Sequence, residues 1–130
     1  MKATVTRKEH FNATHRLHNP NWDDTTNERV FGLCNNPNYH GHNYNLQVHI
    51  TGEIDPDTGY VIDAKILSDL IKQEVTNRYD HKNLYLDLPD FANLNPTAEN
   101  IAQTIWTRLR VCIAPAYELK ITLMKPNVTT

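Results

Sequence analysis

Cysteine is scarce in this chain, with two residues in 130, too few for a disulfide framework. Cys34 and Cys112 therefore read as free thiols of a reducing cytoplasm. Long apolar runs are missing too. None approaches the ~20 residues that a membrane helix needs, and Met1-Lys2-Ala3-Thr4 does not open a signal peptide. There is no excess of one charge: 13 Lys+Arg stand against 15 Asp+Glu, a formal net charge of -2. That balance argues against a polybasic binder of nucleic acid or membrane surface. Internal repeats and low-complexity tracts are also absent. What remains is a 15.0 kDa chain, 39% apolar and 22% charged, which predicts one globular domain over residues 1–130. Against this ordinary background stand seven histidines.

The hydrophobic period changes several times along the chain. Residues 3–17 are rich in β-branched side chains with partial alternation and predict a strand. Residues 18–30 are dense in Asn, Asp, Thr and Pro and predict a loop long enough to be functional. From residue 42 to 54 alternation returns, with Tyr44, Leu46, Val48 and Ile50 on one face and His49 on the other. Asp55-Pro56-Asp57-Thr58-Gly59 is turn chemistry, and Tyr60-Val61-Ile62 then predicts the returning strand of a hairpin. Asp63 predicts the N-cap of a helix whose apolar stripe is Ile66, Leu67, Leu70, Ile71 and Val75. Residues 80–95 read as loop, anchored by Leu84, Leu86 and Leu88. Asn95-Pro96-Thr97 opens a second helix, with Pro in its first turn and a stripe of Ile101, Ile105, Leu109 and Cys112. Residues 118–125 alternate again through Leu119, Ile121 and Leu123. The order β-β-β-α-α-β predicts an α+β fold, an antiparallel four-stranded sheet with two helices on one face. Its edge strands must be covered or paired, and oligomerisation does this in a small chain.

His40-Gly41-His42 falls where the second long strand begins. Residues i and i+2 of a strand point the same way, so this pair can grip one metal ion, and zinc accepts imidazole nitrogen. A meander that pairs the first two long strands carries His15 toward the same face. Three histidines with one open position is a catalytic zinc arrangement, whereas structural sites close with four protein ligands. Cys34 sits in turn chemistry six residues before His40. It could be a fourth ligand, a nucleophile or base beside the metal, or an inert buried thiol. Cys112, on a helical apolar stripe, reads as core. Asp80-His81 reads as a solvated loop pair or, if the two side chains bond, as a dyad in which the carboxylate fixes the imidazole tautomer. His10, His18 and His49 default to surface or interface roles.

Taken together, Phe11-Asn-Ala-Thr-His-Arg-Leu17, the run from Phe31 to Tyr44 containing Cys34 and His40-Gly-His42, Gly52-Glu-Ile-Asp-Pro56, Asp80-His-Lys-Asn-Leu84 and Pro96-Thr-Ala-Glu-Asn100 resemble the 6-pyruvoyl-tetrahydropterin synthase family over nearly the whole chain. The resemblance implies the tunnelling fold, in which trimers close a twelve-stranded barrel and two trimers stack into a homohexamer. It implies that His15, His40 and His42 ligate Zn2+ and that Cys34 is the catalytic thiolate. It further implies that Asp80 and His81 are a proton-relay pair from a neighbouring subunit, and that Thr97 and Glu99 contact the pterin. The reaction implied is conversion of 7,8-dihydroneopterin triphosphate to 6-pyruvoyl-tetrahydropterin with loss of triphosphate. A sister group makes 6-carboxy-tetrahydropterin and usually has three residues between the Cys and the His-Gly-His. Five separate Cys34 from His40 here, as in the pyruvoyl-forming group. One departure falls in the last strand. Lys125 aligns where the family carries a glutamate that accepts hydrogen bonds from the pterin edge. Lysine offers only donors, and the pterin edge at that point also offers donors, so this anchor would be replaced by repulsion. The alternatives to the enzyme are a non-catalytic zinc- or pterin-binding member and a structural α+β oligomer with incidental histidines.

Overall fold

The computed structural model describes residues 1–35 and 40–124, and of His40 the backbone only. In chain order the elements are β1 (Lys2–His15), α1 (Asp24–Phe31), a 3-10 turn (Gly32–Asn35) and β2 (His40–Glu53). Then come α2 (Ala64–Ile71), a π-helical turn (Lys72–Thr76), α3 (Asn77–Tyr79), β3 (Lys82–Asn83), α4 (Ala98–Cys112) and β4 (Glu118–Met124). They form an α+β fold around one four-stranded sheet of order β3-β1-β2-β4.

β1 and β2 pair antiparallel over their full lengths, from Lys2 opposite Glu53 to His15 opposite His40. β4 extends the sheet antiparallel to β2, with Leu119 opposite Ile50 and Leu123 opposite Leu46. Period-2 alternation then sorts the strands. Phe11, Ala13, Tyr44, Leu46, Val48 and Ile50 are buried in one cluster with Leu67, Ile71, Val75, Ile101, Ile105 and Leu109 from the helices. Burying side chains of this kind contributes roughly 1.5–3 kcal/mol each and is what holds the helices against the sheet. The alternate positions are polar. His49 lies between Thr6 Oγ1 (2.9 Å from Nδ1) and Thr122 Oγ1 (3.0 Å from Nε2), linking three strands across that face.

Several expectations need correction. Tyr60-Val61-Ile62 forms no strand, because β2 already has β1 and β4 on its two sides. Val61 instead turns inward, near Gly52, where an added Cβ would come within 2.7 Å of the Tyr117 ring. The remaining strand is Lys82–Asn83, parallel to β1 at Ala13 and Thr14, so the sheet is mixed rather than wholly antiparallel. Residues 24–31, expected as loop, form a helix capped by the Asp23 carboxylate, which accepts from Thr26 N–H at 2.7 Å. Ile66 is exposed although it belongs to the predicted stripe. Pro96 precedes the Thr97 cap rather than entering the first turn of α4. Cys112 is exposed, not core, because the helix ends there and Ile113 takes the buried place. Asp63 does cap α2, accepting from Lys65 and Ile66 N–H, and Gly59 supplies the positive φ (80°) of the predicted turn.

Candidate metal centre and active site

Pairing of β1 with β2 places His42 opposite Ala13, and His40 opposite His15. Directly opposite residues share a face, so His15 and His42 belong to the helix-covered side, at the end of the apolar row. Their rings meet edge to face, 4.5 Å between centroids. The chain returns after α1 to bring in Cys34, and ligand atoms of His15, Cys34 and His42 all lie within 4.8 Å of one another. Donors around a tetrahedral zinc with bonds of ~2.0–2.3 Å lie about 3.3–3.6 Å apart. Small side-chain rotations would therefore close this set on an ion, and two imidazoles with a thiolate suit a soft or borderline cation. His40 is brought to the site by its backbone, and its side chain lies outside the described residues.

His15 is wholly buried. Its Nδ1 is 2.9 Å from the Pro96 carbonyl, which can only accept, so Nδ1 carries the proton and donates. Tyr44 Oη, 3.3 Å away, takes a longer share of that proton. The bond leaves the lone pair on Nε2, the tautomer a metal ligand needs. Burial, and then the neighbouring Cys34 sulfur, push the Tyr44 phenol well above its ordinary range, so it stays neutral beside the site. Neither Tyr44 nor Pro96 was singled out from sequence. Tyr44 reads as one more apolar position on β2; the available signal was a buried phenol that needs a partner for its hydroxyl.

Asp80 and His81 follow α3 at the sheet edge. His81 has φ 57°, a left-handed conformation that costs a non-glycine residue roughly 1–2 kcal/mol. The conformation is held from β1: His81 N–H donates to Asn12 O at 2.6 Å, and Asp80 Oδ1 accepts from Asn12 N–H at 2.8 Å. Asp80 Oδ2 and His81 Nε2 are 3.5 Å apart, ion-pair range but too long for a good hydrogen bond. His81 is largely exposed and lines a cleft of about 550 Å3 with Asn12, Ala13, Thr14, Gly41, His42 and Asn43. Asn12, Thr14, Gly41 and Asn43 alternate with His15 and His42 along β1 and β2, whereas Ala13 and His42 belong to the imidazole face.

The remaining predicted residues fall at the start of α4. The Thr97 hydroxyl caps the helix by accepting from Asn100 N–H at 3.1 Å, which leaves its own proton to donate. Glu99 is exposed in the first turn. Thr97 directly follows Pro96, whose carbonyl meets His15 Nδ1. Lys125 lies outside the described residues.

The sequence profile of the family described as 6-pyruvoyl tetrahydropterin synthase matches residues 4–127. A 6-pyruvoyl tetrahydrobiopterin synthase of Drosophila melanogaster is 42% identical over 129 residues, 97% of this chain and 77% of that protein. The Homo sapiens protein of the same name is 41% identical over 122 residues, covering 92% of this chain and 84% of its own. The solved structure of Caenorhabditis elegans 6-pyruvoyl tetrahydropterin synthase superposes with a TM-score of 0.84 at 32% identity, covering 98% and 97% of the two chains.

Proposed function

The chain belongs to the 6-pyruvoyl tetrahydropterin synthase family, and from that premise we propose that it is a lyase converting 7,8-dihydroneopterin triphosphate to 6-pyruvoyl-tetrahydropterin with release of triphosphate. The observation that carries this reading is the convergence of His15, His42 and Cys34 on one point at the end of the helix-covered face. His15, His40 and His42 would hold Zn2+, with Cys34 beside it as a base rather than a closing fourth ligand. When bound, the ion would act as a Lewis acid toward the oxygens of the substrate side chain. The Pro96 carbonyl fixes the tautomer of His15 for this role.

Cys34 takes a carbon-bound proton. As the carbon–oxygen bond to triphosphate breaks, its electron pair leaves with the phosphate and the electrons of the lost C–H bond form the new double bond. His81, steadied by Asp80, relays or returns a proton during the later rearrangement. Thr97 and Glu99 contact the pterin, where a carboxylate suits the donors on its amino-pyrimidine edge.

The family resemblance brings the Asp80–His81 pair from a neighbouring subunit, giving a site completed by two chains. The open edges of β1 and β4 support the same reading, as a homohexamer of two stacked trimers with residues 1–130 as one tunnelling-fold domain. A reducing cytoplasm suits the free thiols. Among the described residues, no helix is long and apolar enough to cross a membrane.

Incubation of the zinc-loaded protein with dihydroneopterin triphosphate, followed by mass spectrometry, tests the proposal. Formation of 6-pyruvoyl-tetrahydropterin and triphosphate is expected. A 6-carboxy product would move the chain to the sister reaction, against which the five-residue spacing of Cys34 and His40 argues. Full zinc occupancy without turnover would overturn the enzymatic reading. In that event, tighter pterin binding by Lys125→Glu would favour a non-catalytic binder.

A further inference from the structure

Cys34 is carried by a four-residue 3-10 turn, Gly32–Asn35, in which no residue is buried. Burial of apolar side chains therefore does little to fix where the thiol sits, and directional bonds must do so. Three such bonds come from the residues that immediately follow His15. Leu17 N–H donates to the Cys34 carbonyl at 2.7 Å. Arg16 Nε donates to the Asn35 carbonyl at 3.0 Å. His18 Nδ1 lies 3.0 Å from Asn35 Oδ1. An amide oxygen accepts, so His18 Nδ1 carries the proton and donates.

His18 is also tied at its other end. Its backbone N–H donates to Asn95 Oδ1 at 3.1 Å, and the Asn95 carbonyl accepts from Asn100 Nδ2 at 2.8 Å. Asn95 immediately precedes Pro96, whose carbonyl orients His15. One residue thus joins the turn that bears the thiol to the loop that orients a metal ligand. Of the three histidines without a role in the sequence, His49 serves the sheet, whereas His18 is aimed at the site.

We propose that His18 is a positioning residue whose Nδ1–H bond to Asn35 Oδ1 sets the Cys34 thiol against the His15–His42 pair. This rests on Cys34 acting as the base of the proposed reaction. The backbone bond from Leu17 and the side-chain bonds from Arg16 and His18 hold the turn at three points, and only that from His18 reaches a side chain of the turn. A displacement of the thiol by about 1 Å is enough to cost a large part of the rate while substrate binding is preserved.

The test uses three variants. His18→Asn places an amide N–H close to the Nδ1 position and can keep the bond. His18→Gln places its amide near the Nε2 position and cannot, and His18→Phe keeps the ring without a donor. The first readout is iodoacetamide alkylation of Cys34 in metal-free Cys112→Ser protein, since the exposed Cys112 would otherwise react. The second is kcat and KM for dihydroneopterin triphosphate with zinc present. In His18→Phe and His18→Gln, alkylation should accelerate at least about threefold and kcat fall about tenfold, with KM within about twofold. His18→Asn should stay within about twofold of the parent in both assays. Unchanged alkylation in His18→Phe, or equal damage in all three variants, would overturn the positioning role. If the parent shows no turnover, the enzymatic reading fails, and alkylation alone still decides the role of His18.

Discussion

A buried imidazole is oriented by what receives its proton, and in His15 that acceptor is the Pro96 carbonyl, a backbone atom no side-chain change removes. Tyr44 adds a weaker contact to the same nitrogen while its ring stacks on Phe11 at 5.1 Å. Two substitutions should therefore separate ligation from support. His42→Ala removes a ligand atom and should leave the purified protein with little bound zinc. Tyr44→Phe keeps the stacked ring and loses only the longer contact, so zinc affinity should fall by no more than about tenfold, the low end for outer-sphere partners. Zinc content by atomic emission and competition with a chromophoric chelator measure both. A Tyr44→Phe protein as zinc-poor as His42→Ala would show the hydroxyl to be indispensable. The candidate pair His40-x-His42 was readable from sequence because residues i and i+2 share a strand face. Pro96, Tyr44 and His18 were not, because each acts through a contact between residues distant in sequence or through a backbone atom with no residue signature.

The helical layer is locked by charge as well as by apolar packing. Glu74 lies in the π turn, and both its carbonyl and its carboxylate accept from Arg108 of α4, at 3.1 and 2.8 Å. Asp90 accepts from Arg78 Nε at 3.2 Å and from the Tyr79 hydroxyl at 2.9 Å. Partial burial alone would raise the Asp90 carboxyl. The hydrogen bonds from Arg78 and Tyr79 and the charges of Arg78 and Arg108 more than offset this, holding it below the usual carboxylate range. A depressed folded-state pKa contributes stability that is fully present above the unfolded value of about 3.9 and is lost as pH falls through the folded one. Asp90→Asn should cost about 2 kcal/mol at pH 7, the scale of hydrogen bonds to a charged group. The gap from the parent should narrow in urea titrations at pH 3. A gap that stays constant with pH would show that shape, not charge, holds the cluster. Element by element, legibility followed the strength of the period. The long strands, the Asp63 cap and the α4 stripe were readable from side-chain pattern. The helix over 24–31 was not, since Asn27 is its only buried residue. Nor was β3, whose two polar residues are strand only because the edge of β1 is open beside them.

At the scale of the whole molecule, the sheet ends on both sides in backbone that needs a partner. Among the described residues, β3 covers β1 only at Ala13 and Thr14, which leaves Lys2–Phe11 along the edge, and β4 presents its outer side from Glu118 to Met124. Open edges of this length are normally covered, and a second copy of the chain would cover them with matched antiparallel strands. In the proposed site, Asp80 and His81 would come from a neighbouring chain. Fold class was legible in the order of strands and helices, whereas the proposed division of the site between chains came only from the family resemblance, because no side-chain pattern within one chain encodes it. Complementation makes it measurable. Cys34→Ala and His81→Ala should each be inactive alone. Mixed in equal amounts under conditions that let subunits exchange, they should recover up to about a quarter of the parent activity, since a randomly assembled site draws both intact residues about one time in four. A site completed within a single chain would recover nothing on mixing, because each chain would carry one lesion or the other.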